Sequence, residues 1–127
     1  MYKKIDIKPL SVNEAWQGKR FKTKAYKKYV SDMLTILPSM TLPVTDAPLR
    51  LSITFGLSSK NADIDNPLKC FIDCLQKKYG FDDKWIYQLD VEKIDVKKGK
   101  EHICFKIIPI KQEKQQPVVT ETYNLSA

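Results

Sequence analysis

The sequence predicts an α+β domain, a mainly antiparallel sheet with two helices on one side, in the order β-α-β-α-β-β. Residues Leu49–Leu57 alternate apolar and polar side chains with a period of two, as a half-buried strand does. Two segments, after Thr23 and after Asn66, instead space their apolar residues for one helix face, and Pro38 and Gly80 stop them. The chain has 127 residues, 43% of them apolar, which is enough for one domain with a sizeable core.

Residues 2–8 set Ile5 and Ile7 against Lys4, Asp6 and Lys8, a strand that Pro9 ends. Residues 10–22 contain Asn13, Gly18 and the basic run Lys19-Arg20-Phe21-Lys22, and read as a loop. From Thr23, a favoured N-cap, Tyr26, Val30, Met33, Leu34 and Leu37 make a helical stripe. Pro43 and Pro48 keep the next stretch irregular before the strand Leu49–Leu57. Asn66 as N-cap and Pro67 at the first helical position predict a helix over 67–79, with Leu68, Phe71, Ile72, Leu75 and Tyr79 as its apolar face. A turn around Trp85 leads to a strand near 89–96, and Lys97-Lys98-Gly99-Lys100 offers a hairpin turn into a strand over 103–110. Residues 113–127 are polar and aperiodic and read as a disordered tail, leaving 1–112 as the folded domain.

Composition narrows the function. There is no run of about 18 apolar residues and no apolar signal-peptide core at the amino terminus, so the expectation is a cytoplasmic protein without a membrane partner. Three cysteines without a Cys-x-x-Cys pair fit a reducing compartment. A net charge of +7 and a pI near 9.3 suit a polyanionic partner, although a solvated basic surface gives the same numbers. His102 is the single histidine and carries no motif, which leaves triad chemistry one possible base. Cys70, Cys74, Cys104 and His102 match no common zinc spacing, and buried thiols are the better account. Four glycines make no phosphate-cradling loop.

The acids are more informative. Asp63 and Asp65 stand two apart, and in an extended segment they would project to one side. Like charges that close call for a compensating cation, and hard divalent ions with oxygen ligands are the usual one, so the pair invites Mg²⁺. Lys69 and Asp73 are neighbours on one helix face, and Asp82-Asp83 follow the same helix. Each feature alone is more often a capping turn, a surface pair or a solvated loop. Together they place acids before the helix, a lysine on it and acids after it.

The run Asp63-x-Asp65-Asn66-x-x-Lys69-x-x-x-Asp73-x-Leu75, followed by Gly80-Phe81-Asp82-Asp83-x-x-Ile86, resembles the signature of the RusA family of Holliday junction resolvases. Ser11-Val-Asn13, a basic loop and a helix precede it in the family's order, and the likeness covers roughly residues 3–110. The resemblance implies a RusA-like fold and a homodimeric, Mg²⁺-dependent endonuclease that makes paired nicks across four-way DNA junctions, with recombination, repair or prophage associations. It also implies that Asp63, Asp65 and Asp83 are metal-binding catalytic acids and Lys69 the catalytic lysine, with Asp73 and Asp82 in support. The chain departs from the family where Glu14, Ala15 and Trp16 replace a loop usually richer in Pro, Ser, Asn and Arg, which leaves open which loop residues touch DNA. Lys19, Arg20, Lys22 and Lys24, with Lys27 and Lys28, are phosphate-binding candidates by composition. Trp16, Phe21 and Tyr26 could stack on bases, yet aromatics at such spacing more often belong to the core or a dimer interface. The competing reading is a non-catalytic basic DNA-binding or phage-assembly module whose acids form only a turn.

Overall fold

The computed structural model of the chain describes residues 2–17, 21–110 and 120–125. Along it run β1 (Lys3–Ile5), the one-turn helix α1 (Val12–Ala15), β2 (Trp16–Gln17), β3 (Phe21–Lys22) and helix α2 (Lys24–Ile36). Then come β4 (Leu49–Leu57), helix α3 (Leu68–Tyr79), a 3-10 turn (Asp83–Trp85), β5 (Ile86–Asp95) and β6 (His102–Pro109). The fold is α+β, as the periodicities predict. Its four-stranded sheet has the order β1-β6-β4-β5, with β6 antiparallel to both β1 and β4.

Two features differ from the sequence expectation. Residues 10–22 are not a plain loop, because Ser11 caps α1 by accepting from the Asn13 N–H (3.1 Å) and β2 pairs with β3 in a small separate ribbon. The turn at 97–100 does not fold β5 back onto β6 either; β4 lies between them and runs parallel to β5. Seven of the nine β4 residues are buried, so β4 belongs in the interior of the sheet with a neighbour on each edge. β5, with Gln88, Asp90, Glu92, Lys93 and Asp95, tolerates an edge. A parallel pair needs a crossover, and α3 supplies it.

The odd-numbered residues of β4 and β6 face the long helices. Phe71 of α3 meets Phe55 and Phe105 edge-on, at centroid separations of 6.1 and 5.5 Å. Thr23 caps α2, its hydroxyl accepting from the Tyr26 N–H (3.2 Å). The buried face of α2 is Tyr26, Tyr29 and Met33, with Leu37 after it; Val30 is only partly buried. Tyr29, which the sequence stripe does not include, is buried with them. Cys70 and Cys74 are buried thiols, and burial pushes Cys74 up to about 12. The expected tail lies outside the described residues except for 120–125, all of them exposed. No described helix is long and apolar enough to cross a membrane.

His102 has a structural place. Its Nδ1 lies 3.0 Å from the Lys100 carbonyl oxygen, and its ring covers Gly56 across the β4–β6 pair. A Cβ on residue 56 would come within 2.5 Å of that nitrogen. Gly56→Ala should therefore destabilise the fold by about 1–3 kcal/mol, the usual range for overpacking. In a His102→Ala background the same change should cost much less. Equal losses in both backgrounds, measured by denaturant unfolding, would show that the ring is not the obstacle.

Candidate active site

The segment that holds the first acid pair is not extended. The Asn66 N–H donates to the Asp63 carbonyl and the Leu68 N–H to the Asp65 carbonyl, both at 3.2 Å, so two overlapping turns lead from β4 into α3. The expectation that Asp63 and Asp65 project together from a strand-like segment fails for this reason. Asn66 is not the cap either. The cap position is Pro67 (φ −85°, ψ −5°), already in helical conformation and without a side-chain cap bond. The Asn66 carbonyl accepts instead from the Val12 N–H (2.9 Å), which docks α1 against the entry to α3.

Asp65, Lys69, Asp73 and Asp83 line one surface pocket of about 210 Å³, together with Leu68 and Ile72. Three stretches build it. Asp65 comes from the entry turn, Lys69 and Asp73 from successive turns of α3, and Asp83 from the 3-10 turn beyond the helix. Asp63 is exposed and does not line this pocket. Asp82 does not line it either, but caps the 3-10 turn, its carboxylate accepting from the Lys84 N–H (3.0 Å). That bond holds the Asp82 carboxyl below the usual range. Asp82 thus shapes the turn that presents Asp83.

Gln76 is a site residue that sequence reasoning missed. Its Oε1 accepts from the Asp83 N–H (2.9 Å), tying the 3-10 turn to α3. Nothing in the local sequence marks it, since the bond spans seven residues across a helix end whose geometry only the fold supplies. Among the described residues, no three His, Cys, Asp or Glu side chains gather closely enough to hold a metal ion. The pocket offers carboxylate oxygens from separate segments beside one ammonium group.

Of the basic candidates, Lys19 and Arg20 lie outside the described residues. Lys28 is paired with Asp32 (2.7 Å), and Lys24 is exposed at the start of α2. The Lys22 ammonium lies over the rings of Trp16 (5.7 Å) and Tyr26 (4.9 Å). Tyr26 is a core residue, 3% exposed, and Trp16 packs on it at 6.0 Å, half-buried. Burial, and next the Asp73 carboxylate, push the Tyr26 phenol up to about 12.

A basic α+β domain that gathers carboxylates and a lysine at one surface pocket has the make-up of a hydrolase acting on a polyanion. The family model described as endodeoxyribonuclease RusA matches residues 11–107, from the cap of α1 through the pocket into β6. The chain belongs to the RusA family of endodeoxyribonucleases. No individual curated protein matches it significantly.

Gln76→Leu should free the Asp83 amide while leaving the helix intact. A hydrogen bond of this kind contributes about 1 kcal/mol net. The exchange rate of the Asp83 amide proton should therefore rise several-fold, read by NMR, with little change at Ile72 or Leu75. Unchanged exchange at Asp83 would show that the bond does not hold the turn.

Proposed function

We propose that this chain is a Mg²⁺-dependent endonuclease that resolves four-way DNA junctions by paired nicks in recombination and repair, acting as a C2 homodimer. One coincidence carries the proposal: Asp65, Lys69 and Asp83 lie within the residues matched to the endonuclease family and line one pocket although they come from different segments. The competing reading, a structural turn in a non-catalytic module, gives no reason for Asp83 to line the same pocket as Asp65.

Cleaving a phosphodiester requires an activated water and stabilisation of charge on the phosphorane and the leaving oxygen. Mg²⁺, when bound, would supply Lewis acidity and a more acidic water. Its usual coordination suits this pocket, because Mg²⁺ keeps several waters and takes one or two protein carboxylates, with substrate phosphates as further ligands. Asp65 and Asp83 are the carboxylates assigned to it. Asp63, two residues before Asp65 and outside the pocket, is assigned with them as a third acid that substitution tests separately. The Lys69 ammonium would meet a phosphate oxygen. Asp73, one turn along, limits the excess positive charge beside it. Two cuts placed symmetrically on a two-fold junction need two such pockets related by a two-fold axis, hence the dimer.

Asp65→Asn and Asp83→Asn keep size and most local hydrogen bonding but remove a ligand charge. Each should lower Mg²⁺-dependent cleavage of a synthetic four-way junction on the order of a hundredfold or more. Junction binding with the metal chelated should persist or tighten, since a negative charge facing phosphate has gone. Lys69→Ala should also abolish cutting and bind no better than the wild type. Asn would serve almost as well as Asp in a turn, so a folded Asp65→Asn protein that cuts normally would refute the assignment. Light scattering at micromolar concentration should give the mass of a dimer; a monomer that fully resolves junctions would sink the two-fold scheme.

A further inference from the structure

A second pocket, of about 380 Å³, adjoins the acidic one and shares Lys69 and Asp73 with it. Its other lining residues are Trp16, Lys22, Tyr26, Gln76 and Lys77. It therefore holds three lysines and one aspartate, an excess of two positive charges. Among the described residues none of the three ammonium groups forms an ion pair, whereas Lys4, Lys28 and Arg50 are each matched with an aspartate. Two of them are held in place by an aromatic ring instead of by an acid: the ammonium groups of Lys22 and Lys77 lie 4.9 and 5.6 Å from the centroid of Tyr26. The Tyr26 ring is fixed in the core, so two flexible side chains converge on one rigid support with their charges unneutralised.

We infer that Lys22 and Lys77, steadied by Tyr26, form a clamp for a backbone phosphate of the DNA arm next to the bond that is cut. The inference rests on the endonuclease reading of the neighbouring pocket and adds to it a binding site. A phosphate suits the groove better than a stacked base, because Tyr26 is buried and Lys22 covers both rings. A phosphate anion would offset the net charge of two that the three lysines and Asp73 leave in the pocket, and leave the cation–ring interactions in place. Lys69 lines both pockets, so the clamped phosphate lies close to the one at the cut.

Lys22→Gln/Lys77→Gln removes both charges at exposed positions, and Lys22→Arg/Lys77→Arg retains them. For the Gln pair the clamp predicts about tenfold weaker binding of a four-way junction, a higher KM with kcat nearly unchanged, and a shallower salt dependence of affinity, by about 0.9 for one phosphate that is no longer neutralised. The Arg pair should restore all three. Single neutral methylphosphonate linkages, moved one at a time along the cleaved strand, locate the clamped phosphate. One linkage close to the cut should weaken binding by the wild type and make no difference to the Gln pair. If the Gln pair binds as the wild type does, or if no linkage ceases to matter in that variant, the clamp is overturned while the endonuclease assignment stands. A wild-type protein that neither binds nor cuts branched DNA would overturn both.

Discussion

Everything about the candidate site depends on where α3 is held, and the three-ring packing of Phe71 with Phe55 and Phe105 holds it. Phe71 is fully buried in the first half of the helix, and its two partners come from adjacent antiparallel strands, so the helix is registered against the sheet in two directions at once. Removing such a ring typically costs about 3–5 kcal/mol. Here it would also free the element that carries Lys69 and Asp73 and anchors the turn of Asp83 through Gln76. Tyr79 adds a second brace, its hydroxyl donating to the Pro38 carbonyl (2.8 Å) while its ring lies 6.4 Å from Phe105. Lys78 reaches the Leu34 carbonyl (2.9 Å), so the carboxyl-terminal end of α3 is tied to α2 as well.

The two faces of the sheet are chemically separate. One carries the aromatic and aliphatic core under the helices. On the other, polar side chains of β4 and β5 bond across the strand pair: Arg50 donates through Nε and Nη2 to Asp90 (2.9 and 2.5 Å), and Thr54 donates to Glu92 (2.9 Å). Arg50 on this face is thus matched with an acid, while Lys22 and Lys77 beside Tyr26 on the helical side are not. The charge that bears on a polyanion is decided by pairing more than by composition.

Much of this was legible in the sequence because it depends on short-range patterns. The period of β4, the Thr23 cap, the two helix stripes and the burial of Cys70 and Cys74 all follow from side chains within a few residues of one another. The order of Asp65, Lys69 and Asp83 carried the family resemblance for the same reason. What was not legible depends on partners far along the chain. That β5 pairs with β4, and not with β6, reflects competition for the most apolar strand, which no local turn signal encodes. Asp63 and Asp65 looked like a strand-borne pair because a turn stabilised by backbone bonds leaves little trace in residue identity. Gln76 and Lys77 became recognisable only once α3 had been set beside the 3-10 turn and Tyr26.

The sheet order also has a consequence for synthesis on the ribosome. Among the described residues β1 has one sheet neighbour, β6, with Lys3 opposite Phe105 and Ile5 opposite Ile103, so β1 must wait until β6 is made. β4 likewise gains its antiparallel edge only when β6 arrives. Until then a nascent chain can form helices and the β4–α3–β5 unit, but its most apolar strand keeps one open edge, and Phe71 lacks one of its two ring partners. Closure of the domain is therefore a late event driven by β6, and pairing as distant in sequence as this is slow because the intervening chain must first be ordered.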